Sequence, residues 1–418
     1  MKKKQVAITG VGIISPIGNS KDEYWDSILK GKNGVTRLSY FDPSYFTSHI
    51  AAEVKNFDPS PYINQKKLRR MDKFVQFAVC ASKMAVNDCK LDMEKEDRNR
   101  IGVYIGSGIG GLNTTEQAVI QYIKHGPEKG PSRITPFLIP MLIVNMASGM
   151  VSISLGLKGP SSAVATACAT SNHAIGDAFR IIQRGEADIM IAGGSEGAIT
   201  HMGFGGFCAL RALSTRNNDP EHASRPFDKE RDGFIMGEGA GVLILEELEH
   251  ALRRKANIYS EIVGYAMTAD AYHITAPDPK GDGATRCMRI AIEDAGIKPE
   301  DVDYINAHGT STQLNDKIET AAIRKAFGKH AYKLAVSSTK SMVGHMLGAA
   351  GGAELIATVL GIKEGIIPPT TNLEVPDPEC DLDYVPGMPR KKEINIALSN
   401  ALGFGGHNAT LVVRKHRS

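Results

Sequence analysis

PSSAVATACATSNHAIGDAFRIIQ (160–183) runs from an apolar extended stretch into an amphipathic helical pattern, and ADIMIAGGS (187–195) then follows as a strand-like run. Runs that are apolar on both faces are what a sheet buried between helix layers requires. The alternation continues outward in both directions. Strand character marks QVAITGVGI (5–13), IGVYIGSG (101–108), GVLILEEL (241–248), SEIVGYAMT (260–268), VDYINAHG (302–309), KLAVSS (333–338), INIALSNAL (394–402) and ATLVVRK (409–415). Helical spacing fills 74–90, 171–184, 284–296, 316–327 and 348–364. This is an α/β protein of stacked layers.

At 418 residues the chain exceeds one ordinary core, so two domains or two fused halves are expected. The charged stretch EELEHALRRK closes one section and SEIVGYAMT opens another, which divides the chain into 1–258 and 259–418 without a low-complexity linker. With 42% hydrophobic and 23% charged residues, the composition argues against disorder and against an integral membrane protein. A net charge of +3 gives no global field for nucleic acid, so an electrostatic partner would need a local patch. Six scattered cysteines without zinc spacing read as reduced thiols in a cytoplasmic protein. Met1-Lys-Lys-Lys and the apolar run after it imitate a signal peptide, but glycines and Pro16 break the run and it reads as a first strand. The uncharged segment 134–157 is long enough for a membrane span; its prolines and polar residues make it a buried core helix instead.

Three motifs compete for the chemistry. Gly106-Ser-Gly-Ile-Gly-Gly111 matches GxGxxG after a strand, yet no acidic ribose ligand follows on a second strand, so a plain glycine turn is the better reading. Gly193-Gly-Ser195-Glu-Gly197 fits the serine-hydrolase elbow, but AITHMGFGGF behind it is glycine-rich and poorly helical. Cys168 stands at a strand-to-helix junction, where unpaired N–H groups and the helix dipole favour thiolate. A buried, inert cysteine fits that segment equally well. Two loops shift the balance. VDYINAHGTST places His308 just past a strand end, and VSSTKSMVGHMLGAAGG places Lys340 and His345 after another. Together with Cys168 they describe a Cys/His acyl-transfer site.

In order, TACATS, GGSE, ALSTR, FDKERDGFIMGEGAG, NAHGTST, SSTKSMVGH, GAAGG and SNALGFGGHN resemble the β-ketoacyl-acyl carrier protein synthases, most closely those of type II, from one end of the chain to the other. The resemblance implies a thiolase-like fold of two similar halves in five αβαβα layers, a homodimer, and acyl carrier protein as partner. It implies no bound cofactor, since the phosphopantetheine arrives on the carrier. Cys168 is implied to hold the acyl chain as a thioester, while malonyl-carrier protein loses carbon dioxide and condenses with it. His308 and His345, as neutral N–H donors, would stabilise the enolate oxygen, a contribution of ~3–4 kcal/mol per donor. Lys340 would orient the histidine loops.

The same resemblance makes the backbone N–H groups of Cys168 and Phe404 an oxyanion hole; Phe404, flanked by glycines, suits a gate, and a fixed aromatic plug fits the loop as well. Ile109 would line the acyl pocket, and Thr310 and Thr312 would bind the pantetheine arm. Asn306, Glu354, Ser399 and Asn400 match a candidate monovalent cation site. Lys66, Lys67, Arg69, Arg70 and Arg211 form a basic surface suited to an acidic carrier protein, although charge runs are usually solvated faces. The chain departs from the commonest pattern at His407, where many members have Thr, and at Asn315, where a glycine is usual. The loop 126–136 is expected near the pocket mouth. A thiolase would need a second cysteine where Phe404 stands, and a synthase III would use Asn in place of His345. A serine hydrolase built on Ser195 and a non-catalytic scaffold are the readings from other classes.

Overall fold

The computed structural model describes residues 3–417. Its ten main strands are β1 (Val6–Ile14), β2 (Ile101–Gly106), β3 (Ser161–Ser162), β4 (Ile189–Glu196), β5 (Gly239–Glu247), β6 (Ser260–Ala269), β7 (Tyr304–Asn306), β8 (Ala335–Ser337), β9 (Ile396–Gly403) and β10 (His407–Arg414). The helices that layer them are α1 (Lys73–Asp88), α2 (Thr170–Gln183), α3 (Asp282–Asp294), α4 (Gln313–Phe327) and α5 (Ala350–Glu364).

The strand order is β8-β7-β9-β10-β6-β1-β5-β4-β2-β3. Each half contributes five neighbours, and within each half the order is third, second, fourth, fifth, first. Pairing repeats too: the second strand runs parallel to the third and fourth, and the fifth lies antiparallel between the fourth and the first. The halves meet through three residue pairs, Val6–Ile262, Ala7–Glu261 and Ile8–Ser260. The fold is thus two similar halves.

Helix α1 covers β1 and β5 on one outside, and α3 covers β6 and β10 on the other. Helices α2 and α5 pack between the two halves, each touching strands of both. A middle layer buried on all sides needs small residues. A Cβ on Gly352 would lie 2.2 Å from the carbonyl oxygen of Gly241, so only glycine lets α5 approach β5 this closely. The duplication extends to the turns that open these helices. Ala167 and Leu347 both have left-handed φ (49° and 48°), and each begins a single 3-10 turn, 167–169 or 347–349.

Two local expectations are corrected. Segment 134–157 is not one buried helix. It forms Leu138–Leu142 and Met146–Leu155, separated where Ile143 turns extended, and the first piece buries no residue. Ile139 (60%) and Ile153 (65%) reach the surface, while Ala147 and Val151 of the second piece are buried. Behind Ser195, His201–Ala209 is helical despite its glycines, started by the Thr200 side chain accepting from Gly203 N–H.

Candidate active site

Cys168, His308 and His345 come from three separate segments and meet in one cavity of about 570 Å³. Their ligand atoms all lie within 4.8 Å of one another. Cys168 sits at the strained turn after Ala167, ahead of α2. His308 follows β7, and His345 follows Gly344, whose φ is 65°. The two imidazoles stand edge to face with centroids 5.3 Å apart, and Phe234 packs against His345 at 5.3 Å.

Hydrogen bonding fixes which ring nitrogen carries the proton. Nδ1 of His345 accepts the backbone N–H of Leu347 at 3.3 Å, and Nδ1 of His308 faces the Lys340 ammonium at 3.5 Å. Both Nδ1 atoms are therefore acceptors, which leaves the protons on Nε2. Nε2 of His345 is buried and has no partner in the protein. Burial, with the Lys340 charge second, holds both imidazoles well below the usual histidine range. They are neutral N–H donors. The trio has a spacing that could hold a metal ion, but it turns protons rather than lone pairs inward.

Lys340 is itself ion-paired with Glu354, both nearly inaccessible. Glu319, absent from the sequence reading, accepts the backbone N–H groups of His308 and Gly309, each at 2.8 Å. Asp316 accepts those of Thr310 and Ser311. These two carboxylates shape the His308 loop from one turn of α4, a role with no signal beyond their place in a helix.

The thiolate expectation for Cys168 is corrected. Burial pushes its thiol up to about 11, and the Lys340 charge and Phe404 N–H, which oppose this, do not overcome it. Desolvation is the largest influence on it, so the resting nucleophile is a thiol.

Ile109, Thr310, Thr312, Arg211 and Phe404 all line the cavity. The hydroxyls of Thr310 and Thr312 are 2.9 Å apart, and Asn315 lines the same side. Lys66, Lys67, Arg69 and Arg70 lie outside it, exposed around a short helix, with the Arg70 guanidinium 4.6 Å over the Phe137 ring. Segment 126–136 does not line the cavity. It continues the helix Leu112–Lys129 past a kink at Gly126. Among the cation candidates, Asn306 Oδ1, Glu354 Oε2 and Ser399 Oγ are buried acceptors without partners, which fits a cation. Asn400 does not fit as well, because its Oδ1 already accepts from Thr410.

The competing motifs are structural. Ser195 lies inside β4, fully buried, and its hydroxyl donates to the Phe74 carbonyl at 2.5 Å. The glycine turn 106–111 aims its N–H groups at Glu196 rather than at a phosphate.

The family model of the beta-ketoacyl synthase N-terminal domain matches residues 3–251, and that of the C-terminal domain matches residues 259–374. The chain belongs to the β-ketoacyl synthase family. This β-ketoacyl synthase is 56% identical over 417 residues to the 3-oxoacyl-[acyl-carrier-protein] synthase 2 of Synechocystis, covering all of this chain and 99% of the relative. It is 54% identical over 414 residues to the enzyme of the same name from Staphylococcus aureus, covering 99% of each. Among solved structures it superposes with TM-score 0.92 and 36% identity on a chain from a type II PKS acyl-carrier protein in complex with its ketosynthase bound to the hexaketide, covering 99% of this chain and all of that one. A beta-ketoacyl synthase from Burkholderia phymatum gives 0.91 at 35% identity, covering 99% of this chain and all of that one. The thiolase-like fold and the condensing acyltransferase class follow.

Proposed function

We propose that this chain is a 3-oxoacyl-[acyl-carrier-protein] synthase that lengthens fatty acyl chains by two carbons. The observation that carries this reading is the pair of neutral histidines whose Nε2 protons are turned into the cavity that holds Cys168. In the first half-reaction the Cys168 sulfur attacks the carrier-bound acyl carbonyl. Its proton goes to the departing pantetheine sulfur, and the acyl chain stays on Cys168. In the second, the malonyl carbon–carboxylate bond breaks, carbon dioxide leaves, and the electron pair moves to the thioester oxygen. His308 and His345 hold that oxygen with two N–H bonds, worth ~3–4 kcal/mol each in a dry site. The enolate carbon then attacks the Cys168 thioester, whose oxyanion is held by the N–H groups of Cys168 and Phe404, and collapse expels the Cys168 sulfur as thiolate, which regains its proton from water. Reaction of decanoyl- and malonyl-carrier protein with this chain, followed by mass analysis, tests the reading. The expected product is the 3-oxododecanoyl thioester.

We assign the acyl channel to Ile109, the pantetheine path to Thr310 and Thr312, and the gate to Phe404. Acyl carrier protein is the partner, met by Lys66, Lys67, Arg69, Arg70 and Arg211. A monovalent cation would be held by Asn306, Glu354 and Ser399 and would brace the loop that carries Lys340. The chain divides at 258/259, a reading supported by the repeated strand order. A homodimer is supported by the exposed edge strand β3 beside a surface with Val119, Ile123, Ile139, Ile143 and Ile153 uncovered. We place the protein in the cytoplasm. Among the described residues no helix is long and apolar enough to cross a membrane, and all six cysteines are free.

A further inference from the structure

Glu196 closes β4 and is fully buried. Its Oε1 accepts the Ser107 hydroxyl at 2.7 Å and the Ile109 N–H at 3.3 Å. Its Oε2 accepts the Gly108 N–H at 2.8 Å and the Gly348 N–H at 3.0 Å. All four partners are donors. Ser107 Oγ already accepts from Gly110 N–H at 2.9 Å, so its own proton points at Glu196. Only an acceptor with four lone-pair sites satisfies the set, which a carboxylate does and an amide does not. The packing is tight: a Cβ on Gly348 would lie 2.4 Å from the Gly108 nitrogen and 2.7 Å from Oε2.

The two segments tied here do different work. One presents Ile109 to the cavity. The other continues from Leu347, whose N–H sets the tautomer of His345 and whose side chain shares a hydrophobic cluster with Ile109. Glu196 itself is not among the residues that line the cavity.

We propose that Glu196 is a positioning residue that locks the wall of the acyl pocket to the segment that orients His345, so that chain selection and decarboxylation are set together. The inference rests on the functional reading above. Its test is Glu196→Gln, which keeps the shape but puts an amide N–H against one pair of donors. Two readouts are compared with wild type: condensation of hexanoyl- against tetradecanoyl-carrier protein, and carbon dioxide release from malonyl-carrier protein with no primer present. The expected result is a fall in carbon dioxide release of at least about ten-fold, together with a change of at least about five-fold in the primer ratio. A merely structural role would scale all rates by the fraction folded and leave the primer ratio alone, and that result overturns the proposal. Ser107→Ala, which removes one donor from the Ile109 side, covers the case in which the glutamine variant does not fold. Its carbon dioxide release and primer ratio should both move by about three-fold, and movement of only one contradicts the coupling. A wild type that condenses nothing removes the functional reading and this inference with it. An active wild type with an unaltered Glu196→Gln removes the inference alone.

Discussion

Lys340 and Glu354 form an ion pair that leaves only 1% and 2% of their side chains exposed. The other neighbour of the ammonium is Nδ1 of His308. The pair therefore joins stability to catalysis. Lys340→Met strands a buried carboxylate and should cost roughly 3–5 kcal/mol, whereas Lys340→Met with Glu354→Leu should recover much of that. Thermal denaturation checks the stability side. Carbon dioxide release from malonyl-carrier protein should fall in both variants, because His308 has lost the donor that places its proton on Nε2.

His308 and His345 are held below the ordinary histidine value of 6.5 by burial first and the Lys340 charge second. Their native forms stay neutral where an ordinary imidazole would take up a proton. Malonyl decarboxylation should therefore run level as pH falls from 8 through 6.5 and decline only in more acidic solution. A pH–rate profile with its midpoint at 6.5 would contradict the neutral-donor assignment. Replacing either histidine by Ala should slow decarboxylation by roughly 10²–10³-fold while Cys168 still reacts with iodoacetamide.

Cys168 rests as a thiol pushed up to about 11. Its alkylation rate should keep climbing with pH past 9, with no plateau near neutrality, because the thiolate is the reactive form. Lys340→Met removes the largest opposing influence and should slow alkylation at pH 8.

Ile139 and Ile143, 60% and 39% exposed, belong to the surface assigned to the second subunit. Charging them (Ile139→Lys with Ile143→Glu) should convert a dimer of about 90 kDa, twice the 45.0 kDa chain, into monomers by sedimentation equilibrium. A variant that sediments like the wild type would sink that assignment.

Reversing Lys66, Lys67 and Arg211 to Glu should raise KM for carrier-protein thioesters at least about ten-fold at low salt. KM for pantetheine thioesters that lack the protein should change little. The difference should shrink as ionic strength rises, and an equal effect on both substrates would remove the docking role.

The layers were legible because nine strand runs carry their own signal, several of them apolar on both faces. The site was legible because Cys168, His308 and His345 sit in small-residue turns at element ends. What stayed hidden is relational. The 106–111 turn and the GGSEG segment each imitated a different enzyme, and only the fold shows that the turn donates to Glu196 of that segment while Ser195 bonds the Phe74 carbonyl. Local sequence also could not weigh the helix start at Cys168 against its burial, nor reveal that Ile139, Ile143 and Ile153 of 134–157 face outward while Ala147 and Val151 are buried.

The division of labour between Cys168 and the histidines is tested most directly in Cys168→Ala, by following condensation and carbon dioxide release in the same reaction. Wild type should carry the primer acyl group on Cys168 by intact mass and yield a product two carbons longer. Cys168→Ala should form no adduct and no longer product, yet still release carbon dioxide from malonyl-carrier protein. An adduct on another residue, or condensation persisting in Cys168→Ala, would contradict the account.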